Sequence, residues 1–156
     1  MALAEARLDT DVLWAVLSGD VPLPDIPEFP GVLEAYRKKY PDDLSVRRAI
    51  DGAGADLSDA RVRAVFQVAP GVGGFVTPGI LAAVRVPGGI RWGGADTVNP
   101  YEADTRPYVQ RIPTASGRCA GAHVRHDDFP GPEPADPAVR HRVGGEAAVF
   151  FARHLR

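Results

Sequence analysis

The chain has 156 residues, with 18 Lys and Arg against 20 Asp and Glu, and a net charge of −2. This length suits one domain with a sizeable core, and the lack of basic excess argues against nucleic acid or a membrane surface as a partner. A single cysteine excludes an intramolecular disulfide, which fits a reducing compartment. The N-terminal residues lack the apolar run of a signal peptide, and no apolar stretch is long enough to span a bilayer. A cytoplasmic protein is therefore expected.

Residues 1–55 are predicted to form a helical segment. The apolar spacing in residues 2–18 indicates one or two helices, and the missing cap before residues 2–7 predicts a helix that begins ahead of Met1. Four prolines between Gly19 and Pro30 exclude regular structure there. Short helices are expected at residues 32–40 and 44–50.

Residues 56–156 alternate between strand and helix patterns. The sequence predicts strands at 61–69, 87–92 and 114–120, helices at 79–84 and 99–111, and a last helix from Pro137. This order indicates an α/β fold: a partial doubly wound parallel sheet flanked by helices, in one domain with residues 1–55. The second strand is the weakest, because its glycines and Arg91 oppose the role of a buried strand. Trp14 and Trp92 are expected to pack in the core.

Asp96 and a histidine pair are the candidate chemical groups. Asp96 follows Gly93-Gly94-Ala95 at the predicted carboxyl end of the second strand, where open α/β sheets build their sites. His123 and His126 follow the third strand candidate, in a loop predicted for residues 121–134. An acid and then a histidine, each after a strand, is the chain order of the α/β-hydrolase triad.

Several motifs resemble the dienelactone hydrolase-like branch of the α/β-hydrolase superfamily. The first strand ends in Ala-Pro, and residues 81–87 then read L-x-x-V-x-V-P. Gly93, Asp96 and Pro100 match an acid turn of the form G-x-x-D-x-x-x-P. Residues 121–129 resemble the closing Gly-Ala-His and Asp-Phe signature, and residues 150–155 look like the last helix of the family. The resemblance is densest over residues 56–98.

The resemblance implies an ester-hydrolysing triad with Asp96 as acid and His126 as base, His123 being the alternative base, with a small ester as substrate and no cofactor or metal. Residues 1–55 resemble the region after the nucleophile elbow. The nucleophile and the oxyanion-hole donors would then lie outside this sequence, which would be a C-terminal half, inactive alone: a remnant, a frame-shifted fragment or part of a split protein. Such a sheet is expected to self-associate through an exposed edge.

Two other functions stay open. Residues 117–121 match the nucleophile pattern G-x-C-x-G around Cys119, which would make a small esterase with His126 and Asp96. Cys119, however, lacks the preceding apolar strand and following helix of an elbow and falls between acid and base. The third hypothesis is a non-catalytic module that pairs its sheet edge with a partner.

Other candidate sites are weaker. The two histidines with Asp127 and Asp128 form too loose a set for a metal. The glycine-rich residues 71–74 lack the helix start of a phosphate loop. The serines are expected to be caps or turn residues, at Ser18, Ser45, Ser58 and Ser116.

Overall fold

The computed structural model describes residues 7–22, 30–39, 42–129 and 135–156. The predictions for residues 2–6, for most of the proline-rich stretch, for residues 40–41 and for 130–134 lie outside these ranges. The helices and strands follow in the order α1 (Thr10–Ser18), α2 (Val32–Lys39), α3 (Leu44–Ala53), β1 (Val65–Val68), α4 (Pro78–Ala83), β2 (Gly88–Trp92), α5 (Arg106–Arg111), β3 (Ala115–Cys119) and α6 (Pro137–His154).

The three strands form one parallel sheet in the order β1-β2-β3, flanked by helices, so the predicted α/β class is confirmed. Val65 pairs with Gly88, and Gly88 with Ala115. The prediction of a strand over residues 61–69 is too long. Arg61 instead closes a turn, in which its backbone N–H and its guanidinium both donate to the Asp59 carboxylate.

The strand that the sequence makes weakest is the central one. Gly88, Gly89 and Ile90 of β2 are all buried. A Cβ at Gly89 would lie 2.5 Å from the ring of Phe66 and 3.3 Å from that of Phe150, so the glycine makes room for two aromatic rings. Arg91 is neutralised by Glu146 of α6. The expectation that these residues oppose a buried strand is therefore wrong, because side chains of β1 and α6 accommodate them.

The core lies on both faces of the sheet. On one face, α4 and α5 pack against β2. The buried residues of this core are Val76, Leu81, Val84, Ile90, Tyr108 and Ile112. On the other face, α6 packs Val139 and Val143 against Val124 and Phe66. The helices α1 and α3 share a smaller cluster, to which Trp14 contributes. Trp92 packs beside Tyr101, with 4.6 Å between ring centroids, so both tryptophans are packing residues as predicted.

Local chemistry sets the helix boundaries. Helix α1 begins at Thr10, because Asp9 caps it by accepting from the N–H groups of Asp11 and Val12. The prediction of a helix that begins ahead of Met1 concerns residues outside the described ranges, so it stays a prediction. The helix predicted over 99–111, with a kink or break at Pro107, is a π-helical turn, Tyr101–Thr105, followed by α5. Pro107 has no N–H to donate, which explains the irregular start. Helix α6 begins at Pro137 as predicted, and Asp136 caps it by accepting from the N–H of Ala138.

The Glu146 cluster is expected to stabilise the contact between α6 and the sheet. Glu146 accepts from Arg91 and from Arg118, the latter at 2.8 Å, and its side chain is only 20% exposed. Glu146→Ala leaves Arg91 without its carboxylate and should lower the free energy of unfolding by about 2 kcal/mol in urea denaturation. In Glu102→Ala, which removes the exposed ion pair with Arg106, the loss should stay below about 0.5 kcal/mol. Equal losses in the two variants would contradict this assignment.

Candidate active site

The candidate site lies at the carboxyl edge of the sheet. Because the strands are parallel, their carboxyl ends meet at one edge. Ala69 follows β1, Asp96 follows β2 by four residues, and His126 follows β3 by seven. Adjacent strands therefore deliver the acid and the histidine to the same edge, where open α/β sheets form sites.

Asp96 is a buried carboxylate with three hydrogen bonds. One oxygen, Oδ1, accepts from the backbone N–H groups of Val98 and Asn99 at 2.9 and 2.8 Å, which makes an Asx-type turn before Pro100. The other oxygen, Oδ2, lies 3.0 Å from Nδ1 of His126. The Asp96 side chain has no exposed surface, whereas that of His126 is 20% exposed.

His126 is the histidine that meets Asp96. It opens a 3₁₀ turn, His126–Asp128, within the stretch predicted as loop. Buried Asp128 fixes that turn by accepting from the backbone N–H of Arg125 at 2.8 Å. His123 is exposed, with its ring near Gly121, and in the described structure neither oxygen of Asp96 bonds to it. The predicted contact between Asp96 and His126 is present; the catalytic role of the pair stays a prediction.

Two glycines hold the acid loop against the histidine loop. The backbone N–H of Gly94 donates to the carbonyl of Gly121, and that of Ala95 donates to the carbonyl of Val124, both at 2.9 Å. A Cβ at Gly93 would overlap the Val124 carbonyl oxygen, and one at Gly94 would lie 2.7 Å from Cα of Ala122. The two loops therefore approach at backbone distance, and this contact sets the position of Asp96 relative to His126.

No protein-family model matches this sequence, and no curated protein matches it either. The case for a function therefore depends on the geometry of the site.

Asn99 connects the acid turn to the first strand, a role that the sequence did not reveal. Its side-chain N–H donates to the carbonyl of Ala69 at 2.7 Å. Ala69 has a φ of +44°, a left-handed conformation that alanine adopts rarely and at an energetic cost. The backbone N–H of Ala69 donates to the carbonyl of Arg91 at 2.8 Å. Hydrogen bonds at both its N–H and its carbonyl therefore fix the strained residue.

A cavity of about 430 Å³ lies beside His126, between the edge of β1 and α6. Its described walls are mostly apolar, with polar groups at Asn99, His126 and Arg140. The apolar lining residues are Phe66, Val68, Ala69, Phe129, Val143, Gly144 and Ala147. None of them is predicted from the sequence as a site residue. The size and composition suit a small ligand with an apolar body.

Among the described residues that line this cavity there is no Ser, Thr or Cys. Every Ser, Thr and Cys of the sequence falls within the described ranges, and the described lining includes none of them. Cys119 ends the edge strand β3, one residue after Arg118, whose side chain bonds to Glu146 of α6. Because neighbouring side chains of a strand point to opposite faces, Cys119 lies on the face away from α6. The structure brings Asp96 and His126 into contact, whereas Cys119 is not among the described residues that line the cavity.

The described residues contain no cluster of three or more His, Cys, Asp or Glu side chains that could hold a metal ion. Asp128 caps its own turn, and Asp127 pairs with Arg125 at 3.9 Å. Among the helices within the described ranges, none has the length and apolar character needed to cross a bilayer.

Tyr108 supports the loop that follows β1. Its hydroxyl donates to the carbonyl of Gly71 at 3.0 Å. Burial, and then the nearby charge of Asp104, raise the pKa of Tyr108 from 10.0 to about 12. The folded state therefore keeps this proton at a pH where the unfolded chain loses it.

The free energy of unfolding is therefore expected to fall between pH 10 and 12. It should lose about 2 kcal/mol in that window because the unfolded phenol ionises first, and Tyr108 should add no pH dependence below pH 10. Tyr108→Phe should flatten the curve, whereas Tyr36→Phe, which changes an exposed tyrosine, should not. Denaturation at several alkaline pH values measures this, and equal slopes in all three proteins would contradict it.

Proposed function

We propose that Asp96 and His126 are the acid and the base of a carboxylic-ester hydrolase centre of the α/β-hydrolase type. The observation that carries this is the 3.0 Å contact between Oδ2 of buried Asp96 and Nδ1 of His126. Its position at the carboxyl edge, with the acid after one strand and the histidine after the next, agrees with the chain order of that triad. The dienelactone hydrolase-like motifs add to this support.

In such a centre the histidine takes the proton of the nucleophile and later returns it to the leaving group. Because Nδ1 of His126 is hydrogen-bonded to Asp96, Nε2 would take and return the proton. The carboxylate of Asp96 would stabilise the imidazolium that forms. The apolar cavity would hold the acyl or alcohol part of a small ester.

The nucleophile would come from a strand that pairs with the open side of β1. Among the described strands, β1 pairs only with β2, and Val68 at its end is 38% exposed. A strand added in parallel would end at the edge that carries Ala69, beside a cavity that Phe66 and Val68 line. This chain alone should therefore hydrolyse p-nitrophenyl acetate no faster than exposed histidines do.

A thiol placed in the cavity tests the proposal directly. In a Cys119→Ala background, Val68→Cys, Val143→Cys and Ala147→Cys each add a thiol to the lining, and Leu155→Cys adds an exposed control. At least one lining thiol should be acylated by p-nitrophenyl acetate about 100-fold faster when His126 is present than in His126→Ala. The control thiol should react equally in both.

Two results would count against this function. If all three lining thiols are acylated equally fast with and without His126, His126 is not the base of this centre. Turnover by the unchanged chain that disappears in Cys119→Ala would replace it with the small esterase that uses Cys119.

A further inference from the structure

We propose that the Asp96–His126 pair acts by itself as a general base, which removes an acidic proton from a small aromatic molecule bound in the adjoining cavity. This activity needs no serine or cysteine. It uses the same two residues as the ester-hydrolase proposal but does not depend on it.

The hydrogen bonds define the basic atom. Both oxygens of Asp96 act as acceptors, Oδ1 for two backbone N–H groups and Oδ2 for the His126 ring. His126 therefore carries its proton on Nδ1, and Nε2 has the lone pair. The fixed carboxylate would stabilise the positive charge that the ring gains as it takes a proton.

The cavity supplies the environment that makes such a base effective. Phe66 and Phe129 line it together with Val143 and Ala147 of α6, and His126 contributes to the same wall. Aromatic and aliphatic walls favour a flat apolar ligand. A bound ligand displaces water from the cavity, and the electrostatic interactions of the base become stronger in the drier site. Arg140 also contributes to the lining.

The absence of a hydroxyl or thiol in the described lining decides between reaction types. The described lining therefore supplies no hydroxyl or thiol nucleophile for His126 to activate. Proton abstraction requires only a positioned base, a bound acid and removal of water. The chemical class of the substrate is therefore a small aromatic molecule with an acidic C–H bond.

The ring opening of 5-nitrobenzisoxazole is a suitable probe of this chemistry. Nε2 of His126 takes the proton on carbon 3, and the electrons of that C–H bond form the third bond of a nitrile. The N–O bond breaks and leaves a 2-cyano-4-nitrophenolate, which absorbs visible light. The imidazolium then returns its proton to water, so the step needs no other reactant.

We expect kcat/KM at pH 8 to exceed the second-order rate constant of free imidazole by about 100-fold or more. His126→Ala should reduce the rate to the level of free imidazole. Asp96→Asn should lower kcat about 10-fold or more and leave KM unchanged, because Asp96 positions the base and does not touch the ligand. His141→Ala, which removes an exposed histidine of α6, should leave the rate unchanged.

A second variant guards against loss of folding as the cause. Ala147→Phe fills the cavity from α6 without altering the acid or the base, so it should abolish the reaction while circular dichroism and the thermal transition stay those of the unchanged protein. A wild-type rate no higher than that of imidazole would overturn the proposal. So would equal rates in His126→Ala and the unchanged protein, or full activity in a folded Ala147→Phe.

Discussion

Replacing Gly93 with alanine is expected to cost about 3 kcal/mol of folding free energy and to separate Asp96 from His126. The new methyl group would overlap the carbonyl oxygen of Val124, which is backbone and cannot rotate away. Relief requires the loop after β3 to move, and the N–H of Ala95 then loses that same carbonyl as its acceptor. Urea denaturation measures the loss of stability.

Gly79→Ala is the matched control for this substitution. Nothing lies within 4 Å of a Cβ at Gly79, and the residue belongs to α4, where alanine is the better helix former. Its free energy of unfolding should stay the same or rise by up to about 1 kcal/mol. A Gly93→Ala protein as stable as the Gly79→Ala protein would show that the two loops are not in backbone contact.

The second large effect is expected at Leu81 in the core between α4 and β2. Leu81 is completely buried and packs with Ile90 and Tyr108. Leu81→Ala should lower the free energy of unfolding by about 2–5 kcal/mol, because it removes apolar contacts and leaves a cavity. Leu57→Ala, at a leucine that is 57% exposed, should change it by less than about 0.5 kcal/mol. Similar losses in both variants would contradict the assignment of this core.

Local sequence signals predicted the order of the elements well. Alternating strand and helix patterns gave the parallel sheet, and Asp136-Pro137 gave the start of α6. The signals failed where a distant partner decides the structure. In the sequence, Gly89 and Arg91 both argue against a buried strand. In the structure the rings of Phe66 and Phe150 fill the space beside Gly89, and Glu146, 55 residues further along the chain, pairs with Arg91.

The candidate site was predictable in part for the same reason. Asp96 and the histidine pair each follow a predicted strand, and the family resemblance favoured His126 over His123 as the partner of Asp96, which is the contact that the structure shows. The cavity was not predictable, because β1, the loop after β3 and α6 each supply part of its wall. The role of Asn99 depends on the left-handed conformation of Ala69, which no pattern around that alanine indicates.

The side-chain nitrogen signals of His126 in proton–nitrogen NMR spectra test the central claim most directly. If buried Asp96 accepts a hydrogen bond from Nδ1, the neutral ring should carry its proton on Nδ1, and that proton should resonate far downfield. In Asp96→Ala this proton signal should disappear, while the signals of His123 stay unchanged. A His126 ring protonated on Nε2, or one whose signals do not respond to Asp96→Ala, would contradict an acid–base pair at this edge of the sheet.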